Sequence, residues 1–409
     1  MANITNAVNT YTTRIADLPG TEVVFGVGAE RRLPYLLEKN HVTSLLFVYS
    51  GTYVYDLGIR DAVLNAAKEL GIKVIENGDV QVNPRLELVH RLIEEARAND
   101  VDFVIAAGGG SAFDTGKAVA LGKNYDGDVW DFYAEHRGRE PEHQVLGVGT
   151  ISTLPGTSSE VSFASVITKG HLKGGASPIA IKPAFTIINP EYSRTVPYRY
   201  LAAATVDMIV HNLEKYFTPN APLALVDQLE ENIFRAEYEA AERFAADPGS
   251  LQARADLHWL SAYVNPQLRS LDATGPQYTI HEGVIHIIEH SLSGVFDIVH
   301  GEGNAAVLIA LVRYEASRHP EKFAKLAVRV FGADPYLHTE EENALLLADK
   351  LEELIVGKLH VPIRLSEQGV TREGLDEVLD QLGNLNAYPI GHYTQLSRDD
   401  VKALLDSAF

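Results

Sequence analysis

The chain has 409 residues, which at about 150 residues per domain allows two or three domains. With 46% hydrophobic and 22% charged residues it has the composition of a globular protein, not of a disordered or fibrous one. Its 35 basic and 55 acidic residues give a net charge of −20, with no basic run to offset it, so nucleic acid and anionic membranes are repelled and no nucleic-acid partner is expected.

Other exclusions follow. There is no cysteine, so disulfides and thiolate metal sites cannot form. Apolar stretches such as Ala305–Val312 are too short to cross a bilayer, so no membrane partner is expected. The first twenty residues lack a basic head followed by an apolar stretch. The expected compartment is the cytoplasm.

In chain order, Leu45–Tyr49 predicts a buried strand, Leu57–Leu70 a helix, Ile72–Ile75 a short strand, Leu86–Ala98 a helix and Val101–Ala107 another buried strand. Further strands are expected at Val145–Thr150, Phe163–Thr168 and Ala184–Ile188. This β-α-β rhythm predicts a parallel sheet covered on both faces. Beyond Asn189-Pro190 only helical spacing remains: Tyr200–Tyr216, Pro222–Ala246, Ala255–Asn265, His281–Leu292, Ala305–Ser317, Pro320–Phe331, Thr339–Leu359 and Thr371–Phe409. The expected division is an α/β domain over residues 1–190 and an all-helical domain over residues 191–409.

Gly108–Ser111 follows a strand and opens a helix. Three glycines let backbone amides approach a bulky anion. Ser111 reads as the N-cap, with Asp114 completing a capping box, and the helix end favours negative charge. The turn suits a pyrophosphate, and equally a tight strand-helix connection. Farther on, Asp207 and His211 share a helix face, as do His286 and His290, and His300 follows in the segment His300–Gly303, read as a glycine loop. Imidazoles and a carboxylate converging from separate elements suit a divalent metal. His281 lies off the shared face and is the poorer candidate.

These motifs resemble those of the iron-containing (group III) alcohol dehydrogenase family, in its butanol dehydrogenase-like branch. The resemblance is carried by Val24–Gly28, by Gly108–Lys117 (GGGSAFDTGK), by Thr153–Val161 (TLPGTSSEV), by Asp207–Tyr216 (DMIVHNLEKY) and by His286–Asn304 (HIIEHSLSGVFDIVHGEGN). It implies a dinucleotide-binding α/β domain with a parallel sheet and an all-α metal domain, the architecture shared with dehydroquinate synthase. It also implies that Asp207, His211, His286 and His300 bind the metal, with His290 beside the substrate as the proton relay. Gly109, Gly110, Ser111 and Asp114 would hold the pyrophosphate, Thr153 and Thr157 the cofactor from a second loop, and Lys173 its ribose. Ser158 stands where the family has glycine or alanine, which is expected to tighten that loop.

The implied reaction is hydride transfer between a small primary alcohol or aldehyde and a nicotinamide, by a homodimer. The turn Ser50–Tyr53, with Gly51 at its centre, has no carboxylate to repel a 2′-phosphate, which favours NADP over NAD. Four protein ligands favour Fe²⁺ over Zn²⁺, because iron accepts further ligands. Two alternatives are a metal- and NAD-dependent lyase of the dehydroquinate synthase type and a non-enzymatic binding protein on the same fold. The lyase relatives typically use one glutamate and two histidines as ligands, unlike the pattern here.

Overall fold

The computed structural model describes residues 20–134, 139–217, 224–264 and 282–409. His281, the beginning of the helix read from Pro222 and the end of the one read to Asn265 lie outside them. The α/β part contains β1 (Glu22–Phe25), β2 (Ser44–Tyr49), β3 (Lys73–Asn77), β4 (Phe103–Gly108), β5 (Gly147–Ser152), β6 (Ser165–Lys169), β7 (Leu172–Ala176) and β8 (Phe185–Ile188). Six strands form one parallel sheet in the order β1-β8-β5-β4-β2-β3, and β6 and β7 form a separate antiparallel hairpin. The helices of this part are α1 (Leu33–Lys39), α2 (Tyr53–Asp56), α3 (Ile59–Leu70), α4 (Leu86–Ala98) and α5 (Gly110–Gly122).

Alternation along the strands splits the core in two. Leu45, Phe47, Phe103 and Ile105 face α1 and α3, while Leu46, Val48, Val104 and Ala106 face α4 and α5. The strand order reverses between β2 and β4, since β3 lies on one side of β2 and β4 on the other. A crevice at the carboxyl ends of such strands is where doubly wound sheets bind ligands.

From Tyr198 onward the chain is helical: α6 (Tyr198–Tyr216), α7 (Ala224–Ala246), α8 (Leu251–Val264), α9 (Val284–Phe296), α10 (His300–Glu315), α11 (Glu321–Phe331), α12 (Glu340–Glu352), α13 (Leu375–Asn386) and α14 (Arg398–Ser407). Helix α12 runs on into a π-helical stretch, Glu353–Lys358. Helices α6 and α10 are buried along most of their length, and they cross closely enough that a Cβ on Gly301 would lie 2.0 Å from the Ala203 carbonyl oxygen. Among the described residues no helix is long and apolar enough to cross a membrane.

Two expectations are corrected here. His300–Gly303 is not a loop but the first turn of α10, with Val299 as N-cap. Ser111 does not cap α5 either; Gly109 occupies the N-cap position, and Asp114 turns away to accept from Ser159 Oγ at 2.6 Å and the Val166 amide at 3.0 Å. Tertiary partners on β6 and the β5–β6 loop outcompete the local capping bond.

His258 on α8 is fully buried, and among the described residues neither ring nitrogen has a hydrogen-bond partner. Burial, then the Arg254 charge, pushes its pKa down to about 3. The unfolded chain takes up this proton near pH 6.5, as an ordinary histidine does, whereas the folded chain resists it until about pH 3. Stability is therefore lost as pH falls through that window, by about 1 kcal/mol per pH unit from this group. His258→Leu is expected to flatten that part of the slope. Denaturant titrations at pH 7 and pH 4 measure it, and an identical loss in both proteins would refute the assignment.

Candidate active site

Helix geometry places Asp207 and His211 one turn apart on the same face of α6, and α9 and α10 bring His286 and His300 to them. The Nε2 atoms of His211, His286 and His300 lie 3.7, 3.3 and 3.4 Å from a single oxygen, Asp207 Oδ1. The His211 and His286 rings stack at 4.2 Å. One buried carboxylate oxygen facing three imidazole nitrogens suits a divalent cation. Asp207, His211 and His286 form one group able to hold a metal; Glu289, His290 and His300 form a second beside it.

Three further residues complete the arrangement. Glu214 Oε2 lies 2.6 Å from His286 Nδ1, and its Oε1 accepts the amides of Ile285 and His286. Glu289 pairs in the same way with His300 Nδ1. Asn304 donates to Asp207 Oδ1 at 2.8 Å. Carboxylates on Nδ1 fix each ring's tautomer and turn Nε2 toward the centre. The sequence reading missed these residues, although helical spacing marks them: Glu214 is three positions after His211, Glu289 three after His286, and Asn304 four after His300.

The electrostatics follow from burial and proximity. Burial raises the Asp207 carboxyl, but the imidazoles of His300 and His211, with hydrogen bonds from His286 and His300, hold it well below the usual carboxylate range. Burial opposes charge on His286, yet Glu214 and Asp207 push it up to about 10. Metal ligation needs neutral imidazoles, so a cation entering here releases protons. Burial, then Lys173, His300 and His286, holds His290 well below its ordinary value.

A cleft of about 980 Å³ joins this cluster to the sheet. Gly109, Gly110, Ser111, Asp114, Thr153, Thr157 and Lys173 line it, together with Ser50, Tyr53 and all five site residues from the helical part. Gly51 is exposed and does not line it. The glycines make the cradle: a Cβ on Gly110 would lie 2.7 Å from Thr157 Cγ2, and one on Gly109 3.2 Å from Leu154. Filling this space would close the approach to the α5 N-terminus, so the turn fits a cofactor phosphate. Lys173 points at the metal side, donating to Asn83 Oδ1 at 3.1 Å and Ser293 Oγ at 2.9 Å, and lies 3.6 Å from Glu289. Ser158 sits at φ 54°, with its hydroxyl donating to the Ser261 carbonyl at 2.6 Å. Gly156 in turn donates its amide to Ser261 Oγ at 2.8 Å. The β5–β6 loop is thereby tied to α8.

A parallel sheet presenting a glycine turn to an aspartate–histidine cluster on a helical half has the architecture of a metal- and dinucleotide-dependent dehydrogenase. Comparison with known proteins makes this specific. Residues 20–190 match the family model of the iron-containing alcohol dehydrogenases, and residues 201–409 match the C-terminal model of the same family. The chain is 32% identical to the probable NADH-dependent butanol dehydrogenase 1 of Bacillus subtilis, covering 95% of this chain and 97% of that one. It is 26% identical to the NADPH-dependent aldehyde reductase YqhD of Escherichia coli, again over 95% and 97%. The crystal structure of NADH-dependent butanol dehydrogenase A from Thermotoga maritima superposes with a TM-score of 0.87 at 30% identity, over 95% of this chain and 97% of that one. The chain belongs to the iron-containing alcohol dehydrogenase family.

Proposed function

We propose that this protein is a metal-dependent, NAD(P)-linked alcohol dehydrogenase acting as an aldehyde reductase on small primary alcohols and aldehydes. The observation that carries the reading is the convergence of three imidazole Nε2 atoms on Asp207 Oδ1, in the same cleft as the glycine turn. Asp207, His211, His286 and His300 would hold the metal, with Fe²⁺ favoured because four protein ligands leave it room for another. When bound, the metal supplies Lewis acidity toward a carbonyl or hydroxyl oxygen, and the nicotinamide supplies the hydride chemistry.

The chain's own residues do the rest. Gly109, Gly110 and Ser111 receive the pyrophosphate at the α5 N-terminus, and Thr153 and Thr157 face it from the next loop. Asp114 braces that loop through Ser159. Lys173 ties the β6–β7 hairpin to α9 beside Glu289, which orients His300. His290, one helical turn from His286, lines the cleft beside the metal cluster and would be the residue that relays a proton to the substrate, as the family resemblance implies.

Ser50 and Tyr53 offer hydroxyls at the end of β2, and among the described cleft residues there is no carboxylate there, which favours NADP and still admits NAD. The reading includes a homodimer, as the family resemblance implies, with the cytoplasm as the expected compartment. The lyase alternative is not favoured, because the site carries three histidines and an aspartate.

The test is oxidation of NADPH and NADH with short aldehydes, using metal-stripped protein resupplied with Fe²⁺ or Zn²⁺. Turnover that returns only with metal is the expected result. Silence across every metal, cofactor and aldehyde would overturn the reading.

A further inference from the structure

The motif Gly108–Lys117 ends on a lysine that does not line the cleft. Lys117 follows Asp114 by three residues on α5, so the two share a helix face. Its side chain is fully buried. A buried ammonium is costly unless it is paired and hydrogen-bonded. Here Lys117 Nζ donates to the Ser159 carbonyl at 2.6 Å, to Ser159 Oγ at 2.8 Å and to the Ala164 carbonyl at 2.8 Å. A neutral amine has only two N–H groups, so three acceptors select the cation.

These acceptors belong to the β5–β6 loop, and the bonds run on to the cleft wall. Ser159 Oγ donates to Asp114 Oδ1 at 2.6 Å, and the Ser159 amide donates to Thr157 Oγ1 at 3.2 Å. Thr157 packs on the glycine turn, at Gly110. Through one serine, Lys117 reaches both sides of the phosphate cradle.

Charge gives a second argument. Asp114 lines the cleft beside the helix end that suits a pyrophosphate. Its two oxygens accept from Ser159 Oγ and the Val166 amide, the pattern of a carboxylate. Left unopposed, that charge would repel a phosphate. Burial pushes the Asp114 carboxyl up, and the Lys117 charge is the strongest influence drawing it back.

We infer that Lys117 is a positioning residue for the dinucleotide: from behind α5 it fixes Ser159 and offsets the Asp114 charge, so that the glycine turn and Thr157 accept an anionic pyrophosphate. Titration of Lys117 then couples to cofactor binding. Burial lowers its pKa to about 8, against the pull of Asp114 and Glu160. Among the described residues, the charged groups acting on it are Asp114 on its own helix and Glu160 on the β5–β6 loop. Lys173 and Tyr133 act on Asp114 from the far side. Glu160, pushed up to about 7 by burial, is already ionised above that pH. The cation binds the cofactor better, so affinity is full below about pH 8 and falls as pH rises through it.

This inference rests on the dehydrogenase reading, and the test separates the two. The dissociation constants of NADPH and NADH are measured by nicotinamide fluorescence on metal-loaded protein between pH 7.5 and 9.5, where both cofactors keep constant charge. In wild type both constants should rise about fivefold across this range, as a rise of about one unit in the Lys117 value on binding requires. Lys117→Met is expected to raise both about thirtyfold at pH 7.5, with metal content unchanged and kcat at saturating cofactor within about threefold of wild type. Lys117→Met/Asp114→Asn removes both charges. It should recover to within about fivefold of wild type and show no rise with pH, whereas a merely structural lysine would make the second substitution add to the damage. If Lys117→Met does not fold, the wild-type profile and the double variant decide. A pH-independent wild type, or a double variant no better than the single one, overturns the inference alone. Wild type that binds neither cofactor at any pH overturns the reading beneath it as well.

Discussion

Asp207→Ala is expected to abolish stable metal binding and to lower kcat/KM for aldehyde reduction by about a thousandfold or more. Lewis-acid assistance contributes several kcal/mol to a transition state, and each 1.36 kcal/mol is a factor of ten. Asp207 is the sharpest single probe because His211, His286 and His300 all aim Nε2 at the same oxygen of it. Removing one histidine leaves three donors; removing the carboxylate leaves imidazoles with no shared anion between them. Glu214 and Glu289 would then still hold the outer nitrogens of His286 and His300, keeping the rings in place. Asp207→Asn separates charge from shape, since it preserves the volume and loses the anion. Elemental analysis of the purified variants and NADPH oxidation with butanal are the measurements. A variant that retains one metal per chain and near wild-type turnover would remove Asp207 from the site.

Helical periodicity makes much of this centre legible in the amino-acid sequence. Two residues four apart on a helix share a face, so Asp207 pairs with His211 and His286 with His290 from spacing alone. The same rule reaches Glu214, Glu289 and Asn304, whose carboxylate and amide groups look like ordinary solvated side chains until a second helix is packed against them. Strands β2 and β4 at the middle of the sheet are equally legible, because their apolar runs are buried on both faces. Strand β7, Leu172–Ala176, is not, since Lys-Gly-Gly has little intrinsic strand preference and pairs only because β6 is beside it.

Competition from distant partners accounts for the remaining differences. Ser111 and Asp114 form a plausible capping box until Ser159 and the Val166 amide are brought within reach of Asp114. His290 has an ordinary pKa in isolation, and its value falls through burial first and then through the charges of Lys173, His300 and His286 brought beside it by the fold. Gly301 and Gly303 carry the clearest case. Glycine serves a turn and a close helix crossing equally well, and only the latter role is used: α10 begins at His300 and runs straight through both.

Gly301→Ala should therefore damage the active site through packing, although glycine-to-alanine exchange inside a helix ordinarily stabilises it. A Cβ at Gly301 would lie 2.0 Å from the Ala203 carbonyl oxygen and 2.5 Å from its carbon. Both atoms are backbone, so no rotamer change relieves the contact and α6 must move away from α10. These two helices carry Asp207 and His300, four residues and one residue from the clash, at a separation of 3.4 Å. Overpacking of this kind costs about 1–3 kcal/mol, and a displacement of roughly 1 Å at a catalytic centre costs about a hundredfold in rate. The expected variant is folded but melts several degrees lower, binds metal at least tenfold more weakly, and loses about two orders of magnitude in kcat/KM. Ala203→Gly should not rescue it, because the atoms met belong to the peptide and not to the alanine side chain. Differential scanning calorimetry with metal titration tests both variants. Wild-type metal affinity in Gly301→Ala would mean that α6 and α10 can part without disturbing the ligands, and that the glycine serves the helix crossing alone.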